Sequence, residues 1–309
     1  MIASMRAHSL KSDILLLITA TIWGTAFVAQ RVGMDSIGPF AFNGARFAMG
    51  SLTLVPLLLI SRGQRGAAQD LLVPPTPKLM AFGGLLCGTI LYAGASLQQV
   101  GLIYTTAGKA GFITGLYVII VPLLGLFWKQ RPGAGTWTGT ILATAGLYLL
   151  SVTGAFTIAY GDLLQLMGAF CWASHVLVIG WLSLRVNPIR LAFLQFVACS
   201  VLSFLTAVVV EVITWQMFRQ AAIPILYAGV LSVGIAYTLQ VVAQRESHPA
   251  HAAILMSLES VFAALCGWLL LDETFSLRGI IGCALMLAGM LLSQLWGQFG
   301  WSATKGRGN

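Results

Sequence analysis

Long apolar segments dominate this sequence and restrict the folds that it can adopt. A helix needs about 20 apolar residues to cross the hydrocarbon core of a bilayer. Only 8% of the 309 residues are charged and 58% are hydrophobic, whereas about a quarter of the residues of a soluble protein are charged. The sequence therefore predicts an all-α integral membrane protein. Its ten predicted transmembrane helices lie near 13–30, 39–61, 79–102, 107–128, 135–153, 162–182, 189–211, 221–244, 248–270 and 278–297.

Motifs and composition argue against several other classes of protein. A net charge of +8 would suggest a nucleic-acid partner for a soluble chain, but here it is typical of cations retained on the cytoplasmic face of a membrane. The five cysteines lie in apolar runs, without the spacing of a disulfide framework or a zinc site. The sequence contains no Walker A, Rossmann, G-x-S-x-G or H-E-x-x-H motif. We therefore expect no enzyme activity, cofactor, metal site or nucleic-acid partner.

Lysine and arginine residues are distributed unevenly among the connections between the spans. If the N-terminus is cytoplasmic, twelve of the 17 lie on the cytoplasmic side and four lie outside, with Arg46 inside the second span. Because cations are retained in the cytoplasm, this bias predicts that both termini are cytoplasmic. The longest connection covers only 62–78, so no soluble domain is predicted. The chain is therefore interpreted as a multi-pass protein of the inner or plasma membrane.

The two halves of the chain carry similar sequences. The segment DILLLITATIW at 13–23 resembles DLLQLMGAFCW at 162–172, and both run from an aspartate to a tryptophan at an offset of 149 residues. Further matches follow in the same order along both halves, which favours a duplication. At offsets of 149, 142 and 143 residues they pair Pro39 with Pro188, Phe47 with Phe196, Leu97 with Leu239, Gln98 with Gln240, Ala110 with Ala252, Tyr117 with Glu259, Gly139 with Gly282 and Gly146 with Gly289.

The duplication has a consequence for orientation. Each half, 1–157 and 158–309, holds five predicted spans, and an odd number turns the second copy upside down in the membrane. The loops agree, because WKQR at 128–131 is basic and its counterpart LLDE at 270–273 is acidic. Inverted repeats are typical of secondary transporters, whose substrate site lies near the membrane midplane between the repeats. We also expect Lys109, Asp272 and Glu273 to lie in solvated mouths of such a passage.

Four motifs resemble a known family. WGTAF at 23–27, FNGAR at 42–46, GKAGFITGLYVIIVPLL at 108–124 and SLESVFAALCGWLLLDE at 257–273 are similar to segments of the drug/metabolite transporter superfamily, specifically EamA-type permeases. The resemblance covers essentially the whole chain. It implies a bundle of ten helices with a central cavity and the movement of small metabolites or drugs, often the export of amino acids or their derivatives. The sequence departs from the family at Ser260, where a proline usually follows the glutamate.

Polar residues within the spans indicate where a substrate could bind. Such residues face the protein interior or water rather than lipid, and residues three or four apart share one face of a helix. Arg46 and Glu259 are the only formal charges well inside predicted spans. The candidate cavity residues are Trp23, Asn43, Arg46, Tyr92, Gln98, Tyr117, Trp172, His175, Tyr237, Gln240 and Glu259.

Several of these residues admit two roles on sequence alone. Glu259 is either a site for proton coupling or for a substrate ammonium group, or a structural residue that pairs with Arg46 or marks a helix end. For Arg46 itself we favour a structural role. His175 is either a proton shuttle or a hydrogen-bonded part of the scaffold. Trp23 and Trp172 either stack on a substrate or pack against neighbouring helices. Tyr237 and Gln240 are candidate hydrogen-bond donors to the cargo.

The sequence therefore predicts a secondary transporter that works by alternating access. Its expected cargo is a small organic metabolite, such as an amino acid or a derivative, or a drug. Export and proton coupling are further expectations, the first from the resemblance and the second from Glu259. The alternatives are an uncoupled facilitator or exchanger and a membrane-embedded enzyme that modifies lipids. The oligomeric state is left open.

Overall fold

The computed structural model describes residues 2–61, 76–128, 133–152, 158–183, 185–244, 255–256 and 258–304. The helices are, in chain order, α1 (Ile2–Gly33), α2 (Pro39–Ser61), α3 (Pro77–Tyr104), α4 (Ala107–Gly115), α5 (Tyr117–Leu124), α6 (Ala134–Ser151), α7 (Tyr160–Ser183), α8 (Pro188–Val210), α9 (Trp215–Gln220), α10 (Ala222–Leu226), α11 (Tyr237–Gln244), α12 (Glu259–Leu271) and α13 (Leu277–Thr304). A 3-10 helix, Gly125–Trp128, follows α5, and a π-helix, Tyr227–Ala236, joins α10 to α11.

The predicted all-α membrane fold is confirmed. Within the described residues, seven helical segments are long and apolar enough to cross a bilayer, and they coincide with seven of the ten predicted spans. The ninth and tenth positions hold shorter apolar helices, Glu259–Leu271 and Leu277–Ser293, and α6 occupies the fifth. The predicted cytoplasmic cations Arg62, Arg65, Lys129, Arg131, Arg245, Lys305 and Arg307 lie outside the described residues.

Local sequence explains where several helices begin. Pro39, Pro77 and Pro188 are the first residues of their helices, where the fixed φ of proline suits the helix and its missing N–H is not needed. The hydroxyl of Thr76 accepts a hydrogen bond from the N–H of Leu79 and so caps α3. These three helices begin within two residues of the predicted starts of their spans, because capping depends on neighbours in the chain.

Two helices are interrupted at matching positions. Leu116 lies between α4 and α5 at φ −61° and ψ −16°, and its N–H donates to the carbonyl of Ile113 at 3.2 Å. Leu258 precedes α12 at φ −64° and ψ −13°, and its N–H donates to the carbonyl of Leu255 at 3.3 Å. Both bonds close the tighter turn of a 3-10 helix. The second interruption forms although Ser260 replaces the proline of the resembling family.

The π-helix lies against α2. π-helices are rare, usually last a single turn and occur frequently at functional sites, whereas this one covers ten residues. It has glycine at 229 and 234, and a side chain at either position would collide with α2, with Met49 and the Arg46 carbonyl at the first and with Thr53 at the second. The absence of these side chains lets the wider helix approach the backbone of α2 closely.

Helices α6 and α13 pack through reciprocal glycine contacts. A Cβ atom on Gly139 would overlap the carbonyl oxygen of Gly289, and one on Gly289 would meet the carbonyl oxygen of Gly139. Gly146 and Gly282 contact each other in the same way. Small residues allow two helices in a membrane to approach closely. In the sequence duplication Gly139 corresponds to Gly282 and Gly146 to Gly289. Each contact therefore joins one glycine of the first pair to one glycine of the second pair.

The remaining helix pairs also occur in matching sets. α1 packs against α12 and against the π-helix and α11, while α7 packs against α4 and α5 and against α3. α2 packs on the π-helix as α8 packs on α3, and α2 packs directly on α8. Between α2 and α8, the ring centroids of Phe47 and Phe196 lie 6.0 Å apart.

Carboxylates gather at the end of the bundle that holds 34–38, 105–106, 211–214 and 272–276, which we call the acidic end. The carboxylate of Glu211 accepts hydrogen bonds from the N–H groups of Phe40 and Ala41, at the start of α2. That of Glu273 accepts from Ala107 and Gly108, at the start of α4. A carboxylate is favoured at a helix N-terminus by the free N–H groups and the helix dipole.

The three residues expected in solvated mouths lie at the acidic end. Lys109 forms an ion pair with Asp162 at 3.2 Å, and the Asp162 side chain is completely buried. Glu273 is half-buried as the cap of α4, whereas Asp272 is exposed. These carboxylates satisfy donors on neighbouring helices, while the Lys109 side chain remains 29% exposed and Glu273 borders an open cavity at the acidic end.

Candidate functional site

Trp23, Tyr237 and the π-helix form one side of the centre of the bundle. The indole N–H of Trp23 donates to the carbonyl of Ser232 at 3.2 Å. The Trp23 and Tyr237 rings meet edge to face, with centroids 5.0 Å apart. Tyr237 also packs edge to face against Phe196 at 5.6 Å. These contacts hold an aromatic wall between α1, α8 and α11.

Arg46 lies beside this wall in an apolar setting. Only 4% of the residue is exposed. Its guanidinium lies over the rings of Phe47 and Phe42, at 4.9 and 5.9 Å from their centroids, and it interacts electrostatically with Cys199 and Tyr237. An ionised arginine at the centre of a helix in a bilayer costs about 2.5–3.5 kcal/mol on insertion scales. Contacts with aromatic rings offset part of this cost.

Asn43 lies on the same face as Arg46, one turn earlier in α2. Asn43 is completely buried, and neither atom of its side-chain amide has a hydrogen-bond partner among the described residues. The Nε of Arg46 also lacks one. A buried polar group without a partner is costly, so these three atoms mark an unusual region of α2.

Glu259 begins α12 and is also 4% exposed. Its backbone lies against α1 at Gly24, where a Cβ atom would come 2.7 Å from the Glu259 carbonyl oxygen. Arg46 and Glu259 both lie within the described residues, and no ion pair joins them, because α2 and α12 are separated by α1 and the π-helix. Tyr237 interacts electrostatically with both of them. The structural pairing considered for these two charges is therefore wrong.

Tyr117 approaches the same centre from the first half of the chain. It begins α5 directly after the interruption at Leu116 and interacts electrostatically with Glu259 and Tyr237. On the adjoining helix pair, the hydroxyl of Ser260 donates to the carbonyl of Gly111 at 3.1 Å. The two interrupted helices thus pack against each other near their breaks.

A second group of predicted residues joins α3, α7 and α8. The indole N–H of Trp172 donates to the side-chain oxygen of Gln98 at 3.1 Å. His175 is 5% exposed, and its Nε2 lies 2.8 Å from the side-chain oxygen of Gln195. Trp172 and His175 meet edge to face at 6.2 Å. These contacts favour a scaffold role for His175, since its ring is buried and engaged with an amide.

Two further predicted residues make polar contacts with partners outside these groups. The hydroxyl of Tyr92 is 2.6 Å from that of Thr206, between α3 and α8. The amide nitrogen of Gln240 lies 3.4 Å from the sulfur of Met256. The structure thus brings Trp23, Arg46, Tyr117, Tyr237 and Glu259 to one centre and distributes the remaining predicted residues around it.

Sequence reasoning missed some partners at this centre. It offered no signal for the Ser232 carbonyl or for Gln195, since neither a backbone acceptor nor one amide in an apolar run marks a site. Ser260 was noted only as a substitute for proline, yet it bonds across the helix pair. Within the described residues, no cluster of three or more His, Cys, Asp or Glu side chains could hold a metal ion.

Comparisons with known proteins place the sequence among transporters. The model of the EamA-like transporter family matches twice, at residues 10–152 and 159–295. An uncharacterized transporter of Archaeoglobus fulgidus is 31% identical over 287 residues, which are 93% of this chain and 86% of that protein. The uncharacterized transporter YwfM of Bacillus subtilis is 27% identical, with 91% and 92% covered.

Two further similarities concern location and fold. The uncharacterized inner membrane transporter YedA of Escherichia coli is 26% identical over 263 residues, which are 82% of this chain and 81% of that protein. A solved crystal structure superposes with a TM-score of 0.66 at 18% identity and covers 93% of this chain and 97% of its own. At that identity the superposition supports the fold alone.

Proposed function

The chain belongs to the EamA-like transporter family, and on that premise we propose that this multi-pass membrane transporter is a secondary transporter working by alternating access. The proposed cargo is a small organic metabolite, such as an amino acid or a derivative, or a drug. Export from the cytoplasm is the proposed direction. Residues 1–157 and 158–309 are the two proposed five-helix repeats, inverted with respect to each other.

The reciprocal contacts of α6 and α13 support the inversion. Gly139 and Gly146 correspond to Gly282 and Gly289 in the duplication, and the contacts run from Gly139 to Gly289 and from Gly146 to Gly282. Two copies related by a two-fold axis make contacts of this kind: residue i of the first copy contacts residue j of the second, and residue j of the first contacts residue i of the second. An inverted pair can exchange shapes, and that exchange opens the centre to one side of the membrane and then to the other.

The matched helix interruptions carry the proposal of a central transport site. Inverted-repeat transporters typically form the site from discontinuous helices at the interface between repeats. The breaks at Leu116 and Leu258 have nearly the same backbone angles, and their helices pack together beside Tyr117 and Glu259. Buried ionisable residues within membrane spans commonly belong to proton or substrate pathways. We therefore assign the proposed proton coupling to Glu259.

Flux in vesicles tests the coupling. Glu259→Gln keeps the shape of the side chain but cannot gain and lose a proton, so reconstituted protein should lose uptake driven by a pH gradient and retain exchange of labelled for unlabelled cargo. Asp272→Asn is the matched control, because Asp272 is exposed at the end of α12. Gradient-driven flux of equal size in wild type and Glu259→Gln would contradict the assignment. Counterflow without any dependence on a gradient in the wild type would instead identify an uncoupled facilitator or exchanger.

Chemical labelling tests the proposed inversion and orientation. Cysteines at positions 130 and 272 correspond in the two halves, so in an inverted repeat they face opposite sides of the membrane. With cytoplasmic termini, a membrane-impermeant maleimide added to intact cells should label position 272 and not position 130. Labelling of both positions from one side would contradict the inverted repeat.

A further inference from the structure

The face of α2 that carries Asn43 and Arg46 holds polar groups that no described residue satisfies. Both polar atoms of the Asn43 amide and the Nε of Arg46 are buried without hydrogen-bond partners. Asn43 is completely buried, and Arg46 is 4% exposed. More than nine-tenths of buried polar groups in proteins have a partner. Three such atoms on adjacent turns of one helix therefore indicate a place where a ligand supplies the partner.

The surroundings of this face restrict the ligand. The Arg46 guanidinium lies over the Phe42 and Phe47 rings and next to Tyr237, and within the described residues no carboxylate forms an ion pair with it. Within the described residues, the aromatic rings hold the positive charge but leave the Nε–H of Arg46 without an acceptor. A ligand that completes the site must supply negative charge and acceptor atoms.

Charge favours a carboxylate among small anionic groups, because its single negative charge matches the one guanidinium, whereas a phosphate monoester carries about −1.5 to −2. The planar guanidinium offers a fork of N–H donors that matches the two oxygens of a carboxylate. The Asn43 amide can donate to one such oxygen and can accept from a neighbouring N–H or O–H group of the same ligand. We propose that Asn43 and Arg46 form a carboxylate-binding subsite and that the cargo of this transporter carries a carboxylate. This inference rests on the proposed transport function.

Two kinds of carboxylate cargo differ in whether they also carry an ammonium group that could bind Glu259. Tyr237 interacts electrostatically with both Arg46 and Glu259, so the cationic and the acidic group lie near the same tyrosine. An amino acid would direct its carboxylate to Arg46 and its ammonium group to Glu259. A simple organic acid would use the Arg46 subsite alone. Both kinds require the subsite, and only the first requires Glu259.

Binding to the purified full-length protein tests the subsite. The probes are leucine, isocaproate, leucinamide and isoamylamine, which share one apolar body and differ in carrying a carboxylate, an ammonium group or both. Each is titrated against wild type, Arg46→Gln, Arg46→Lys and Asn43→Leu, with ligand-induced thermal stabilisation as the readout. Arg219→Gln is the matched control, because Arg219 is exposed in the short helix α9 at the acidic end.

The expected result is a loss confined to the probes with a carboxylate. Arg46→Gln should weaken leucine or isocaproate about tenfold or more, as expected for the loss of a charge-assisted hydrogen bond. Arg46→Lys should restore part of that affinity, since it keeps the charge but not the fork. Asn43→Leu should weaken the same probes, and Arg219→Gln should leave them unchanged. Stabilisation by leucine but not isocaproate identifies an amino-acid cargo, and the reverse identifies an organic acid.

Other outcomes overturn the inference. They are an absence of any carboxylate-dependent stabilisation of the wild type, and equal stabilisation of wild type and Arg46→Gln. Arg46→Lys and the unliganded melting temperature of each variant separate a binding defect from misfolding. Counterflow of the probe that binds tests the transport function separately. Binding with the predicted Arg46 dependence but without counterflow would reject transport while leaving the subsite intact, and counterflow unaffected by Arg46→Gln would reject only the subsite.

Discussion

Tyr117 and Glu259 occupy the same place in two interrupted helices. Each is the first residue after a break, and the preceding leucines, Leu116 and Leu258, have φ angles of −61° and −64°. The backbone hydrogen bonds around the breaks also correspond: Ile120 donates to the Leu116 carbonyl and Phe262 to the Leu258 carbonyl, both at 3.0 Å. The two positions are 142 residues apart in the chain. The duplication has therefore kept the backbone at the centre while one copy carries a phenol and the other a carboxyl.

The close approach of α6 and α13 predicts that small additions at their interface destabilise the protein. Gly146→Ala would place a Cβ 2.5 Å from the carbonyl oxygen of Gly282, so the backbones must separate. Overpacking of this kind costs about 1–3 kcal/mol, and the midpoint of thermal unfolding in detergent should fall. Gly180→Ala is the control, since a Cβ there meets no atom within 4 Å. Equal midpoints for the two variants would contradict the contact.

The reciprocity of this interface predicts equal sensitivity on its two sides. Gly139→Ala and Gly289→Ala each insert a methyl group against the other's carbonyl oxygen. The two variants should therefore lower the unfolding midpoint by similar amounts. The double variant should cost less than the sum, because one separation of the helices relieves both overlaps. Strict additivity would indicate that the two contacts are independent.

The cap at the start of α4 predicts a local effect on backbone protection. Glu273→Ala removes the acceptor for the N–H groups of Ala107 and Gly108, bonded at 2.6 and 3.0 Å. Loss of such a cap costs about 0.5–2 kcal/mol, so amide hydrogen exchange at the start of α4 should accelerate by about 2- to 30-fold. Mass spectrometry of peptides covering this segment measures the change. Asp272→Asn, which removes a neighbouring exposed carboxylate and suits the left-handed backbone at φ 53°, should leave the exchange unchanged.

The ion pair between Lys109 and Asp162 predicts a non-additive pair of substitutions. Lys109→Met leaves the fully buried Asp162 carboxylate with the Thr105 hydroxyl but without its cation. An uncompensated buried charge is more costly than the absence of both partners. Thermal unfolding should therefore show that Lys109→Met with Asp162→Asn is more stable than Lys109→Met alone. A double variant that is less stable than this single variant would contradict a buried pair.

The indole of Trp23 predicts a link between α1 and the π-helix. Trp23→Phe keeps an aromatic ring beside Tyr237 but removes the hydrogen bond to the Ser232 carbonyl. The expected loss is about 0.5–1.5 kcal/mol in the free energy of unfolding. Trp215→Phe is the control, because Trp215 is 77% exposed. The prediction is wrong if the two substitutions change stability equally.

Much of the fold could be predicted because membranes constrain sequences strongly. The start of α2 at Pro39 and of α8 at Pro188 follows from local capping and from the need for long apolar runs. The match of Tyr117 with Glu259 came from the offset between the halves, and the backbone at both positions agrees with it. Periodicity could not foresee the π-helix, because its register depends on the close approach of α2 to Gly229 and Gly234.

The site was less predictable than the fold. The sequence placed Arg46 and Glu259 well inside their predicted spans, but it does not say which helices adjoin, and α1 and the π-helix separate the two charges. His175 and Gln195 are 20 residues apart in the consecutive helices α7 and α8. They meet only because both helices pack on α3. Lys109 and Asp162 likewise find each other across 53 residues.

The sequence by itself determined that a lipid bilayer surrounds the chain, that the chain is helical and that the order of its helices is duplicated. These properties depend on composition, on the length of apolar runs and on comparison of the chain with itself. Tertiary structure alone decided which polar groups meet. Glu273 caps α4, Asp162 holds Lys109, and Asn43 and Arg46 are left with buried atoms that no group in the described part of the chain satisfies. The physical reason is that hydrogen bonds and ion pairs act over a few ångströms, so they depend on the packing of helices that are distant in the chain.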